Sequence, residues 1–180
     1  MTILRNSKNF DRFRDRVMFP IHNLTGKTIA FGARTLKKDK KLPKYLNSPE
    51  SLVYHKSQIL YGLFQAKRAI QQNDNCFLVE GYTDVISLHQ AGVQNVVASS
   101  GTSLTEGQIR LIRRFSENIT VLFDGDSAGI KASLRGVDLI LEQGMNVKIV
   151  IIPEGEDPDS YVNELGTQAF LDFLEAEKSD

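Results

Sequence analysis

The sequence has few of the residues that bind soft metals. Its 180 residues include one cysteine, Cys76, and three histidines, His22, His55 and His89. A single cysteine excludes an internal disulfide and a zinc–thiolate site. The histidines are scattered and lack the spacing of an HExxH helix. There is no Walker glycine loop and no GxGxxG turn, which sets aside the nucleotide-binding frameworks built on them. No apolar run approaches the ~20 residues of a membrane span, and the opening MTILRNSKNF lacks a signal-peptide core. A cytoplasmic protein with no membrane partner is the expectation. Cys76, inside the apolar run CFLVE, reads as a small buried hydrophobe.

What is present is ordinary in total and uneven in distribution. Hydrophobic residues make up 41% and charged residues 24%, enough for a buried core in one domain or one and a half. The net charge is zero, yet residues 1–72 carry 15 Lys and Arg against 4 Asp and Glu, and residues 73–180 carry 7 against 18. The first half suits a polyanion; the second can concentrate cations.

The first half reads as β-rich. Strand-like runs at 16–21 and 27–34 flank a turn at 23–26, which predicts a hairpin. LKKDKK at 36–41 is a charged loop. Pro43 and Pro49 make 42–49 irregular or extended, because the residue before proline is pushed away from helix. Apolar spacing predicts a helix over 59–72. From Asn73 strands and helices alternate: strands at 76–79, 95–98, 119–123 and 147–152, helices at 83–91, 105–115 and 127–143, then one or two helices over 160–177. Continuous apolar strands separated by helices predict an α/β fold, a parallel sheet covered on both faces, whose sites lie at the carboxyl ends of the strands.

Carboxylates follow three of those four strands. Glu80 ends the first, with Asp84 soon after. Asp124 and Asp126 follow the third. Asp157 and Asp159 follow the fourth. Clustered carboxylates repel one another, and a hard cation such as Mg²⁺ relieves the conflict. Asp124 and Asp126, two apart at a strand end, point the same way. Competing local roles exist. Asp126 and Asp157 can be helix N-caps, the latter with Pro158 at the first helical position, and Asp84 suits a first helical turn. Glu80 has no such duty. GTSLTEGQ at 101–108 offers either a phosphate site at a helix N-terminus or a cap at Ser103 or Thr105. In the basic half, Arg34, Lys44 and Lys56 stand with Tyr45 and Asn47. A cation, a ring and an amide in non-helical chain suit a nucleotide or a single strand, or a structured loop.

EGYTDVISLHQAG, LFDGDSAG and PEGEDPD together resemble the Toprim domain, with its glutamate after the first strand on Glu80 and its DxD on Asp124 and Asp126. RFRDRVMFPI, FGARTL, PKYLNSPES and HKSQILYGLFQAK are similar to the catalytic core of bacterial replicative primases of the DnaG type. Toprim nucleases and topoisomerases lack these segments. They and a non-catalytic nucleic-acid-binding module are the alternatives. The resemblance implies a Toprim-type sheet over 73–159, preceded by a partial basic polymerase subdomain over 1–72 and followed by the start of a helical subdomain over 160–180. It implies a DNA-dependent RNA polymerase making primers on single-stranded DNA from ribonucleoside triphosphates, by two-metal nucleotidyl transfer. Catalytic ligands would be Glu80, Asp124 and Asp126, with Asp84, Asp157 and Asp159 as supporting or alternative metal ligands. Mg²⁺ or Mn²⁺ would be the cofactor. Arg16, Arg34, Lys44, Tyr45, Asn47 and Lys56 would handle nucleotide or template. Family members also carry a zinc-binding domain and a helicase-contacting region. Neither is seen in this sequence, so an excised fragment without zinc is expected, with the replicative helicase a partner through a region absent here.

Overall fold

A computed structural model describes residues 2–5, 8–37, 42–101, 103–124 and 127–177. The basic half begins with two short antiparallel strands, β1 (Thr2–Arg5) and β2 (Lys8–Asp11). A three-stranded antiparallel sheet follows: β3 (Arg16–His22), β4 (Thr28–Thr35) and β5 (Tyr45–Asn47), in that order. The predicted hairpin is β3–β4. Its turn is closed by Asn23, whose Oδ1 accepts from the N–H groups of Thr25 and Lys27, the local bonding that favours asparagine in turns. Within the stretch expected to be irregular or extended, Tyr45–Asn47 pairs with β4, Gly32 opposite Asn47 and Arg34 opposite Tyr45. Much of the charged loop, residues 38–41, lies outside the described residues.

The helix expected from residue 59 begins later, as α1 (Leu63–Asn73). Gly62 sits at φ 84°, a left-handed conformation that glycine adopts without penalty. Just before it, Tyr61 exchanges backbone hydrogen bonds with Ala98. These residues are used to cover a sheet edge, so they are not free to coil.

The second half is the alternating unit: β6 (Cys76–Val79), α2 (Tyr82–Gln90), β7 (Val96–Ala98), α3 (Glu106–Arg113), β8 (Asn118–Phe123), α4 (Ser127–Glu142), β9 (Asn146–Ile151), α5 (Pro158–Leu165) and α6 (Thr167–Glu177). Its sheet has the order β7-β6-β8-β9, all parallel. β6 is buried at every residue, which explains its unbroken apolar run. Alternate side chains divide between two cores. Cys76, Leu78, Ile119 and Val121 meet Ala66 and Ile70 of α1, Ile109 and Ile112 of α3, and Ile140 of α4. Phe77, Val79, Leu122 and Val150 meet Val85 and Leu88 of α2, Val162 of α5, and Phe170 and Leu174 of α6. Each such aliphatic side chain, fully buried, stabilises the fold by about 1.5–3 kcal/mol. α5 and α6 therefore share the core of the sheet. A third cluster, with Phe19, Ile21, Ala30, Tyr54 and Tyr82, joins the two halves. No helix of the described residues is long and apolar enough to cross a membrane.

Candidate active site

From β6 the chain crosses to β7 on one side; β8 and β9 lie on the other. The direction of winding thus reverses between β6 and β8, and the crevice at the carboxyl ends of two such strands is where open α/β sheets bind ligands. Glu80 directly follows β6 and Asp124 directly follows β8. The pairing of Leu78 with Val121 sets these two strand ends nearly level. Glu80 is exposed and Asp124 half-buried. Asp126, the second carboxylate of the DxD, lies outside the described residues. A cavity of about 530 Å³ opens at this edge, bounded by Glu80, Ser99, Gly101, Leu104, Phe123 and Arg135.

The remaining acidic candidates have hydrogen-bond duties. Asp84 is buried in the first turn of α2, and its Oδ2 accepts from the Gly81 N–H at 2.8 Å. Burial raises its pKa to about 6; the Gly81 bond works against this rise, while the charges of Asp157, Asp159 and Glu80 add to it. Asp157 caps α5, accepting from the Ser160 N–H at 2.7 Å, with Pro158 following. Asp159 accepts from the Ser87 hydroxyl and from the Asn163 amide, holding α5 on α2. By contrast, no hydrogen-bond donor among the described residues reaches the Glu80 carboxylate.

The donor chemistry fits a hard divalent cation. The edge offers carboxylate oxygens, and the one thiol, Cys76, is fully buried in β6 with its pKa pushed up by burial. Among the described residues no three His, Cys, Asp or Glu side chains already stand as a metal cage.

The basic candidates gather mainly on one sheet. Arg34 and Lys44 stand 5.7 and 5.8 Å from the Tyr45 ring centroid, close enough for cation–π attraction. Arg16 donates to the Lys44 carbonyl at 3.3 Å. Lys56 sits apart, in a single 3₁₀ turn, Lys56–Gln58. Its backbone is pinned by Glu50, which accepts from its N–H, and by Gln108, which donates to its carbonyl. Asn47 is tied more tightly than any of these. Its Oδ1 accepts from the Tyr82 hydroxyl at 2.9 Å and its Nδ2 donates to the Ser100 carbonyl at 3.1 Å. Arg12 donates to its backbone carbonyl. Tyr82, Ser100 and Arg12 were not among the sequence candidates, because nothing in local spacing marks contacts between residues so far apart. The GTSLTEGQ segment resolves as a cap. The Thr105 hydroxyl accepts from the Gln108 N–H and donates to the Ser57 carbonyl.

Comparison with known proteins agrees across both halves. Residues 1–67 match the family model of the DNA primase catalytic core, N-terminal domain, and residues 77–162 match a Toprim-like model. The DNA primase of Halalkalibacterium halodurans is 51% identical over 165 residues, covering 92% of this chain and 27% of that protein. A DNA primase domain from Pseudomonas aeruginosa superposes with a TM-score of 0.88 at 46% identity, covering 96% of this chain and 55% of the other. A DnaG primase catalytic domain solved bound to single-stranded DNA gives a TM-score of 0.88 at 40% identity, over 98% and 57%. The chain spans little more than a quarter of the length of the curated relatives it matches. It belongs to the bacterial DNA primase family and corresponds to part of that family's catalytic core.

Proposed function

We propose that this chain is the part of a primase that joins ribonucleotides into short primers on single-stranded DNA. One observation carries the reading: an acidic edge at the switch point of a parallel sheet abuts a basic, tyrosine-bearing sheet, the two meeting at Asn47. In the proposed reaction the 3′-hydroxyl oxygen of a primer attacks the α-phosphorus of a ribonucleoside triphosphate. A new P–O bond forms, the α–β bridging bond breaks, pyrophosphate leaves and the hydroxyl proton passes to water.

Glu80, Asp124 and Asp126 would hold Mg²⁺ or Mn²⁺, with Asp84, Asp157 and Asp159 shaping the field around them. A bound divalent cation supplies neutralisation of charge on the entering and leaving oxygens. The chain's own part is positioning. Arg34, Lys44 and Lys56 have no carboxylate partner among the described residues and are available for phosphates. Tyr45 offers a half-buried ring beside Arg34 and Lys44. That a related catalytic domain was solved with single-stranded DNA supports a DNA template as partner.

The test uses a complete primase carrying this core. Glu80→Gln keeps size and loses charge, so primer yield should fall by at least about a hundredfold, the scale of losing an essential charge at a reacting phosphate, with template affinity and melting temperature near wild type. Near-normal primer yield would remove Glu80 from the catalytic set.

A further inference from the structure

Asn47 makes hydrogen bonds to both elements that flank Glu80. Tyr82, its first partner, begins α2 two residues after Glu80. Ser100, its second, lies in the loop after β7, and the Ser100 N–H donates to the Glu80 carbonyl at 3.0 Å. The backbone of Ser100 is therefore held on both sides, by Glu80 through its N–H and by Asn47 through its carbonyl. Ser100 needs such holding. It is a non-glycine residue at φ 57°, a conformation that persists when surrounding bonds over-determine it.

The residue type at position 47 follows from the bonding. One planar group must accept from a hydroxyl and donate to a carbonyl, and a carboxamide does both while a carboxylate only accepts. The Tyr82 side of the bond is secure near neutral pH, because burial pushes the hydroxyl pKa up and keeps its proton in place. The backbone of Asn47 is fixed as well, by pairing with Gly32 in β4 and by the Arg12 guanidinium.

We infer that Asn47 is a positioning residue that clamps the Ser99–Gly101 loop and the start of α2 around Glu80, so that the basic sheet and the acidic edge keep one register. Its consequence for catalysis rests on the primer-synthesis reading; the clamp itself does not.

Two measurements separate these. Hydrogen exchange on the metal-free chain reads the clamp. In Tyr82→Phe and in Asn47→Asp the Ser100 amide should exchange at least about tenfold faster, with β8 amides unchanged, as expected of a local opening. Tyr82→Phe keeps the ring and so decides the matter even if Asn47→Asp fails to fold. Wild-type exchange at Ser100 in Tyr82→Phe would overturn the clamp. In a complete primase, both substitutions should lower kcat for primer synthesis by about fivefold or more, the scale of one lost hydrogen bond. The nucleotide KM and template affinity should stay within about twofold, and the double variant should be no worse than Asn47→Asp alone, because the two residues share one network. A defect confined to the nucleotide KM in Asn47→Asp, with Tyr82→Phe normal, would overturn the positioning role and assign the amide to the nucleotide. A wild-type enzyme that makes no primers would sink the functional reading and leave the exchange result to decide the clamp.

Discussion

Tyr82 lies flat on Phe19, with ring centroids 4.9 Å apart and planes within 6° of parallel. Phe19 belongs to the basic sheet and Tyr82 opens the first helix of the parallel unit, so this stack is the joint between the halves. Directly across from Phe19 in β4 is Gly32. A Cβ there would stand 2.4 Å from the Tyr82 ring, so the joint closes only over a residue without a side chain.

Gly32→Ala is accordingly expected to destabilise the chain by about 1–3 kcal/mol, the usual cost of overpacking. Thermal or urea unfolding measures it. A melting temperature equal to wild type would show that the Tyr82 ring shifts aside freely.

Asp84 makes stability depend on pH in a defined direction. Its pKa rises from 3.8 to about 6 on folding, chiefly through burial. Between those values the folded chain holds more protons than the unfolded chain, so its contribution is full below about pH 4 and is lost as pH climbs through about 6. The loss is on the order of 3 kcal/mol. Asp84→Asn should abolish it, with the amide oxygen still able to accept from Gly81. Denaturant unfolding without divalent ions, at pH 4 and pH 7, makes the comparison. Equal pH dependence in both proteins would show that Asp84 is not the group responsible.

The basic sheet should bind single-stranded DNA weakly and with strong dependence on salt, since residues 1–72 hold 15 Lys and Arg and only 4 acidic residues. Affinity is expected to fall linearly in log salt. Lys44→Glu with Lys56→Glu should weaken binding and reduce the slope by roughly one for each phosphate that is no longer neutralised. Fluorescence titration across a salt series reads both, and a slope unchanged by the double substitution would place the DNA elsewhere.

The parallel unit was legible because its strands are apolar throughout and its helices carry clear periodicity. Glu80 and Asp124 were legible for the same reason: strand ends can be read, and a carboxylate after a buried strand stands out. Helix α1 was expected to begin four residues too early. The apolar residues Ile59 and Leu60 fit its pattern, but Tyr61 is spent on pairing with Ala98 and Gly62 breaks the path. β1 and β2 escaped notice because TILR and KNFD are too short and mixed to show alternation. The roles of Asn47 and Asp159 were beyond local reading. Their partners lie 35, 53 and 72 residues away, and only the closed fold brings them together.

β6 and β8 are neighbours in space although β7 intervenes in the chain. In folding, the β6–α2–β7 unit can close on itself as soon as residue 98 is reached, but the acidic edge then has only one wall. The second wall needs pairing between strands whose first partners, Cys76 and Ile119, are far apart in sequence, a pairing of the kind that forms slowly because loop closure must precede it. A chain growing from its N-terminus therefore has its basic sheet before its carboxylate crevice. The acidic edge is in this sense the product of two strand pairings, and the β6–α2–β7 unit alone holds only one of its walls.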